Sequence, residues 1–260
     1  MQTTATIILL TFGAKIYVII IFYVFFQGIG AMIIGLYNFK LLPYLKYSIT
    51  FDYMAFKEIF NFSIFTAINN ITGNIVFRVD KMIVSYFLGS ASVTYYQVVF
   101  MMAQYAFGFI TYIIQFLFPY VSYISSIGDK EKLWRIYKKA ILYVSISSFG
   151  ILVILIAAGN LFLEIWLGKG ISQNTGYLIY ILSIVFYFIT VSNVGYYFYN
   201  GLGKSHINMI SSFVGASSYL IASYLLIPKL GINGAGFAFV FVLIPMPFYL
   251  YYIVKLLRST

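Results

Sequence analysis

Cysteine is absent from the 260-residue chain, which excludes disulfides and thiolate metal sites. The single histidine, His206, is too few for a histidine-built metal centre, and no metal or other cofactor is expected. Charge is scarce as well. Only 8% of residues are charged and 62% are apolar, against about 25% and about 45–50% in soluble domains. Mean hydropathy is +0.95. Acids are much scarcer than bases, six against sixteen Lys and Arg, giving a net charge of +10. Such an excess would suit nucleic acid, but the cations are scattered between apolar runs, so none is expected as a partner. The alternation over about 10 residues that marks a barrel strand is missing too. So is the basic leader of a signal peptide: MQTTATIILLTF carries no cation and reads as the tail of a membrane helix.

What the chain has in quantity is long apolar runs. Each of about 20 residues can cross a hydrocarbon core of about 30 Å as a helix. They predict an all-α polytopic membrane protein of seven spans, at 16–38, 59–88, 92–125, 140–167, 176–200, 207–227 and 235–254. Residues 1–12 are too short to span, and 39–58 read as a loop with a surface-lying helix. Polar turns are expected at 168–175, 201–206 and 228–234. The Arg-Val-Asp-Lys run at 78–81 admits two readings, a turn between short helices or part of one long helix. The second is adopted, because the first needs a turn near Met101–Gln104, which lacks Gly, Pro and Asp. Of the sixteen basic residues, eleven then fall on the side of the C-terminus, three (Lys15, Lys169, Lys229) on the other, and Arg78 and Lys81 within the membrane. The positive-inside rule makes the C-terminus cytoplasmic.

Charge at bilayer depth costs about 3 kcal/mol or more and marks a pathway or a protein interior. Arg78 and Lys81 share a helical face at i, i+3, with Asp80 turned away. The two cations suit phosphate or acidic sugar, whereas the bland reading pairs Asp80 with a neighbouring cation. Asn69, Asn70 and Asn74 precede them, as sugar ligands or merely as bonds to neighbouring helices, the reading favoured here. Gln97 and Gln104 fall on one face of the next helix that could oppose the charged cluster, with the same two readings, cavity lining or bonds between helices. Pro119, Pro245 and Pro247 interrupt helices and are candidate hinges. The GLGKS run at 201–205 is no phosphate loop, since position 198, where that motif needs glycine, is Phe198.

The stretch FRVDKMIVSYFLGSASVTYY, followed by FLFPYVSYISSIGDKEKLWRIYKK and EIWLGKG, resembles the O-antigen/polysaccharide flippases (Wzx-type) of the multidrug/oligosaccharidyl-lipid/polysaccharide exporter superfamily. The resemblance covers about residues 40–257. It implies a six-helix C-terminal lobe over 51–260, preceded over 1–50 by a remnant of the N-terminal lobe with one full span, 16–38. It also implies a transporter rather than an enzyme, moving undecaprenyl-diphosphate-linked oligosaccharide across the bacterial inner membrane for polysaccharide biosynthesis. Expected partners are that lipid-linked glycan, membrane lipids, and a missing N-terminal lobe or a second copy. The substrate path would use Arg78, Lys81, Asp80, Asn70, Asn74, Gln97 and Gln104, with Asp80 the candidate for ion coupling. The alternatives are a drug or cation antiporter of the same superfamily and a membrane-embedded glycan polymerase.

Overall fold

The computed structural model describes residues 15–41, 51–168, 175 and 177–258, with helices, turns and no strand among them. The chain divides into two compact units, Met1–Asp52 and Tyr53–Thr260. In the first, helix α1 (Ile16–Leu41) is the expected opening span, long and apolar enough over Tyr17–Tyr37 to cross a membrane. The expected helix end at 1–12, residues 42–50 of the predicted loop and 169–174 of the predicted turn lie outside the described residues.

The second unit begins with α2 (Tyr53–Leu88), which takes up the last residues of the predicted surface segment. It ends at Gly89, whose φ of 82° suits glycine best and whose N–H bonds Ser85 O at 3.0 Å. Arg78, Asp80 and Lys81 therefore lie on one continuous helix. Helices α3 (Ser90–Ile114) and α4 (Leu117–Ile127) follow in place of one predicted span. The break between them traces to Pro119, which has no N–H to offer the carbonyl of Gln115. Phe118 N takes that carbonyl instead at 3.3 Å, in the tighter 3₁₀ pattern.

Helix α5 (Lys130–Leu167) starts ten residues before the predicted span. Asp129 caps it by accepting from Lys132 N at 2.9 Å, and Glu131 pairs with Arg135 at 3.0 Å. The charged run is a capped helix start. Helix α6 (Leu178–Gly201) leads to α7 (Ser205–Val240), and a 3₁₀ turn at Phe241–Leu243 leads to α8 (Met246–Arg258). Within α7, Gly231 leaves the helix at φ 58°, ψ −140°, and the chain folds back so that Gly234 sits against the Leu226 carbonyl. Pro245 and Pro247 account for the break before α8.

Among the described residues, five helices or helix runs are long and apolar enough to cross a membrane, against seven predicted spans. The difference has two sources. Helix α2 carries too much polarity to qualify, and the 54-residue run Ser205–Arg258 is doubled back at Gly231.

Packing rests on rings and directional bonds, as expected where lipid removes the hydrophobic drive between helices. Phe100 meets Phe186 and Phe239 edge-on at 5.2 and 5.3 Å, pairs worth about 0.5–1.5 kcal/mol each. Asn208 ties α6, α7 and α8 together, donating to Asn200 Oδ1 at 2.8 Å and accepting from Tyr249 Oη at 2.7 Å. At the end where α5 begins and α8 stops, the Trp134 ring receives Lys138 at 5.4 Å and Arg258 at 4.9 Å.

Candidate functional site

Helix α2 has three faces. Its buried face carries Val76 and Val84 with two polar groups, Asn69 and Asp80. A second face is apolar and exposed: Ile64, Ile68, Ile71, Ile75, Met82 and Tyr86. The third runs through Ser63, Ala67, Asn70, Asn74, Arg78, Lys81 and Ser85 at steps of three and four, exposed throughout except at half-buried Lys81. From Ser63 to Ser85 this polar stripe rises about 33 Å, the depth of a hydrocarbon core. Polar side chains of that density cannot be left facing acyl chains, so this face meets water or another protein surface.

A matching stripe runs along α3 through Ser90, Thr94, Gln97, Met101, Gln104, Gly108 and Thr111, again at steps of three and four. Thr111 accepts from Asn193 Nδ2 of α6 at 3.2 Å. The two stripes meet at the Gly89 end, where Lys81, Ser85, Ser90, Thr94 and Gln97 line one cleft with Met82, Val93 and Val98. The Gln97 amide oxygen is buried there without a hydrogen-bond partner. No described acid forms a salt bridge with Arg78 or Lys81. The arrangement is an open polar face with two cations that form no salt bridge with a described acid and a row of neutral donors and acceptors.

The structure brings together Lys81 and Gln97, and puts Asn70, Asn74 and Arg78 on the same stripe as Lys81. Gln104 lies on the α3 stripe, half-buried. Asp80 departs from the others. It is fully buried, accepting from Tyr96 Oη at 3.0 Å and from Lys81 N at 2.6 Å, without the ion pair considered from sequence. The Tyr219 hydroxyl, buried and without a hydrogen bond of normal geometry, adjoins the pair. The three asparagines separate. Asn69 bonds neighbouring helices, donating to Tyr196 Oη at 3.4 Å and accepting from Ser212. Asn70 and Asn74 stay exposed, with Asn74 Nδ2 on the Asn70 carbonyl at 2.9 Å. Behind α2, a second cleft of about 210 Å³ is bounded by Gly73, Tyr196, Asn208, Ser212, Pro245 and Tyr249. Its amides and tyrosines largely satisfy one another, so it reads as helix packing.

Of the hinge candidates, Pro119 stands in the first turn of α4 just after the break, Pro245 lies between the 3₁₀ turn and α8, and Pro247 sits in the first turn of α8. Sequence reasoning missed Tyr96 and Tyr219 as companions of Asp80, and missed Ser63, Ser85, Ser90 and Thr94. The latter four were findable, since extending each polar pair by three and four residues in both directions reaches them.

A family model described as "Polysaccharide biosynthesis protein" matches residues 1–174. A Shigella flexneri protein provisionally named as an O-antigen transporter is 26% identical over 191 residues, covering 72% of this chain and 44% of that protein. An uncharacterised membrane protein of Methanocaldococcus jannaschii is 27% identical over 205 residues, covering 78% of this chain and 40% of that one. Among solved structures, a MOP-superfamily transporter from Pyrococcus furiosus superposes with a TM-score of 0.67 at 18% identity. An outward-facing multidrug resistance transporter of the MATE family superposes at 0.63 and 19%. Each covers 78% of this chain, and this chain covers 45% of each. The fold is that of these MOP-superfamily transporters, and the chain spans less than half the length of the relatives it matches.

Proposed function

The chain belongs to the polysaccharide biosynthesis protein family, and from that premise we propose that it is the C-terminal lobe of a lipid-linked oligosaccharide flippase. In this reading residues 51–260 form the lobe and residues 1–50 end the lobe before it. The cargo is an undecaprenyl-diphosphate-linked glycan, carried from the cytoplasmic to the outer leaflet of a bacterial inner membrane without bond making or breaking.

The observation that carries the reading is the open polar face with Arg78 and Lys81 and no acid. Guanidinium and ammonium groups match the diphosphate or acidic sugars of such a cargo, the guanidinium bidentately. Asn70, Asn74, Gln97 and Gln104 offer neutral donors and acceptors to sugar hydroxyls. A stripe crossing the whole hydrocarbon depth gives a polar head group continuous contact as lobes rock in alternating access. The facing surface would come from an N-terminal lobe or a second copy. The basic residues clustered where α5 begins and α8 ends support a cytoplasmic C-terminus. A cation antiporter has the same fold, but would want acids on the open face. Asp80 is buried away from it.

Deleting the gene and supplying this 260-residue chain alone tests the reading. The expected result is loss of surface glycan with lipid-linked precursor held on the inner leaflet. Restoration by the chain alone means that two copies make the path, and build-up without restoration means that a partner lobe is required. Unchanged glycan and precursor after deletion sinks the assignment.

A further inference from the structure

Apolar packing holds a helix against its neighbours but is non-directional. It does not fix which way the helix is rotated. For α2 that rotation matters, because its polar and apolar exposed faces are about one residue step, or about 100°, apart. A turn of that size would bring Ile71 and Ile75 to where Asn70 and Asn74 stand.

Two directional contacts oppose such a turn. Asn69 and Asp80 are the buried polar side chains described on α2. Eleven residues is within about 20° of three full helical turns, so the two lie on one line, about 16 Å apart along the axis. Asn69 is held by Tyr196 of α6 and Ser212 of α7. Asp80 is held by Tyr96 of α3, with Tyr219 of α7 beside it. Both carboxylate oxygens of Asp80 are engaged, one by Tyr96 and one by the N–H of Lys81, and the group is fully enclosed. It is enclosed away from water, with Lys81 the one described cation that acts on it and no salt bridge formed, which leaves it poorly placed to meet a cargo or exchange an ion. Fixing helix register is the best-attested use of a single buried polar group.

We infer that Asp80 and Asn69 are positioning residues, two pegs that lock the rotation of α2 so that Arg78, Lys81, Asn70 and Asn74 face the cargo path. This rests on the flippase reading for the meaning of that path, but its geometry is testable without transport.

The absence of cysteine makes the test clean. A single cysteine at Asn74 should react with a charged, membrane-impermeant thiol reagent at least about tenfold faster than one at Ile75, since the reagent is costly to bring into hydrocarbon. Added to these, Asp80→Ala should bring the two rates to within about threefold, a loss of roughly half the logarithmic contrast. Asp80→Asn should keep the contrast and export alike, because a carboxamide still bonds Tyr96 and Lys81 N–H. Tyr96→Phe should fall between them, and serves if Asp80→Ala does not fold. An unchanged contrast in both Asp80→Ala and Tyr96→Phe overturns the proposal. So does loss of export in Asp80→Asn with the contrast intact, which would mean that the acid itself is used. Equal rates at 74 and 75 in the parent chain would instead overturn the water-facing path, and the flippase reading with it.

Discussion

Replacing Arg78 by glutamate is expected to lower glycan export about a hundredfold or more, with the chain still inserted and folded. A hydrogen bond to a charged group contributes about 1.5–3 kcal/mol, or roughly 10- to 150-fold, and a guanidinium can place two on one phosphate. Glutamate removes those bonds and repels the anion. It also stands one turn from Lys81, at i, i+3, and would pair with the second cation. Folding should be spared because Arg78 is exposed and forms no salt bridge with a described acid. Arg78→Lys should be intermediate, retaining charge without the planar fork. Export is read as surface glycan and folding as the thermal midpoint in detergent. Full export by the glutamate variant would remove Arg78 from the path.

The second large effect is structural. Gly234→Val should destabilise the chain by about 3 kcal/mol or more, the upper end for overpacking. A Cβ there would strike the Leu226 carbonyl oxygen and lie 2.8 Å from its carbon and 3.0 Å from Ile227 Cα. These are backbone atoms of the facing arm and cannot swing aside as a side chain would. Gly73→Ala is the control. A Cβ at Gly73 meets nothing within 4 Å, and alanine in a helix gains about 0.5–1 kcal/mol over glycine. A lowered midpoint for the first and an unchanged or raised one for the second is the expected pair. Equal midpoints would mean that the Gly231 reversal is not as tight as described.

The all-α membrane class was legible because lipid demands a single pattern, a long apolar run, whereas the count of seven was not matched by the five qualifying runs among the described residues. Placing Arg78, Asp80 and Lys81 on one helix was legible for a similar reason, since Gly89 was the better chain-reversal point. Helix starts were not. The Gly-Asp-Lys-Glu run looks like a loop by charge, yet Asp129 caps α5 and the following cations continue as helix. Helix α2 likewise absorbed 53–58. Charge marks where a chain leaves the hydrocarbon, which is not where a helix ends.

Of the candidate site, the cations and amides could be read from spacing of three and four. The surroundings of Asp80 could not. Its partner Tyr96 lies sixteen residues away across a turn, and one of 26 tyrosines carries no mark in sequence. An intramembrane acid suggests ion chemistry until its partners are seen. Asn69, Asn70 and Asn74 show the same limit. Alike in sequence, they separate according to face, one buried among helices and two on the open stripe.

Site-specific photo-crosslinking in cells tests the central claim most directly. A photoreactive residue at Asn74 or Gln104 should capture the lipid-linked glycan, detected by its sugar. The same residue at Ile154, which is 64% exposed on α5, should capture none. Glycan captured at Asn74 and Gln104 alone places the cargo on the polar stripes. Equal capture at all three positions, or none at Asn74 and Gln104 in cells that make the precursor, would contradict the account.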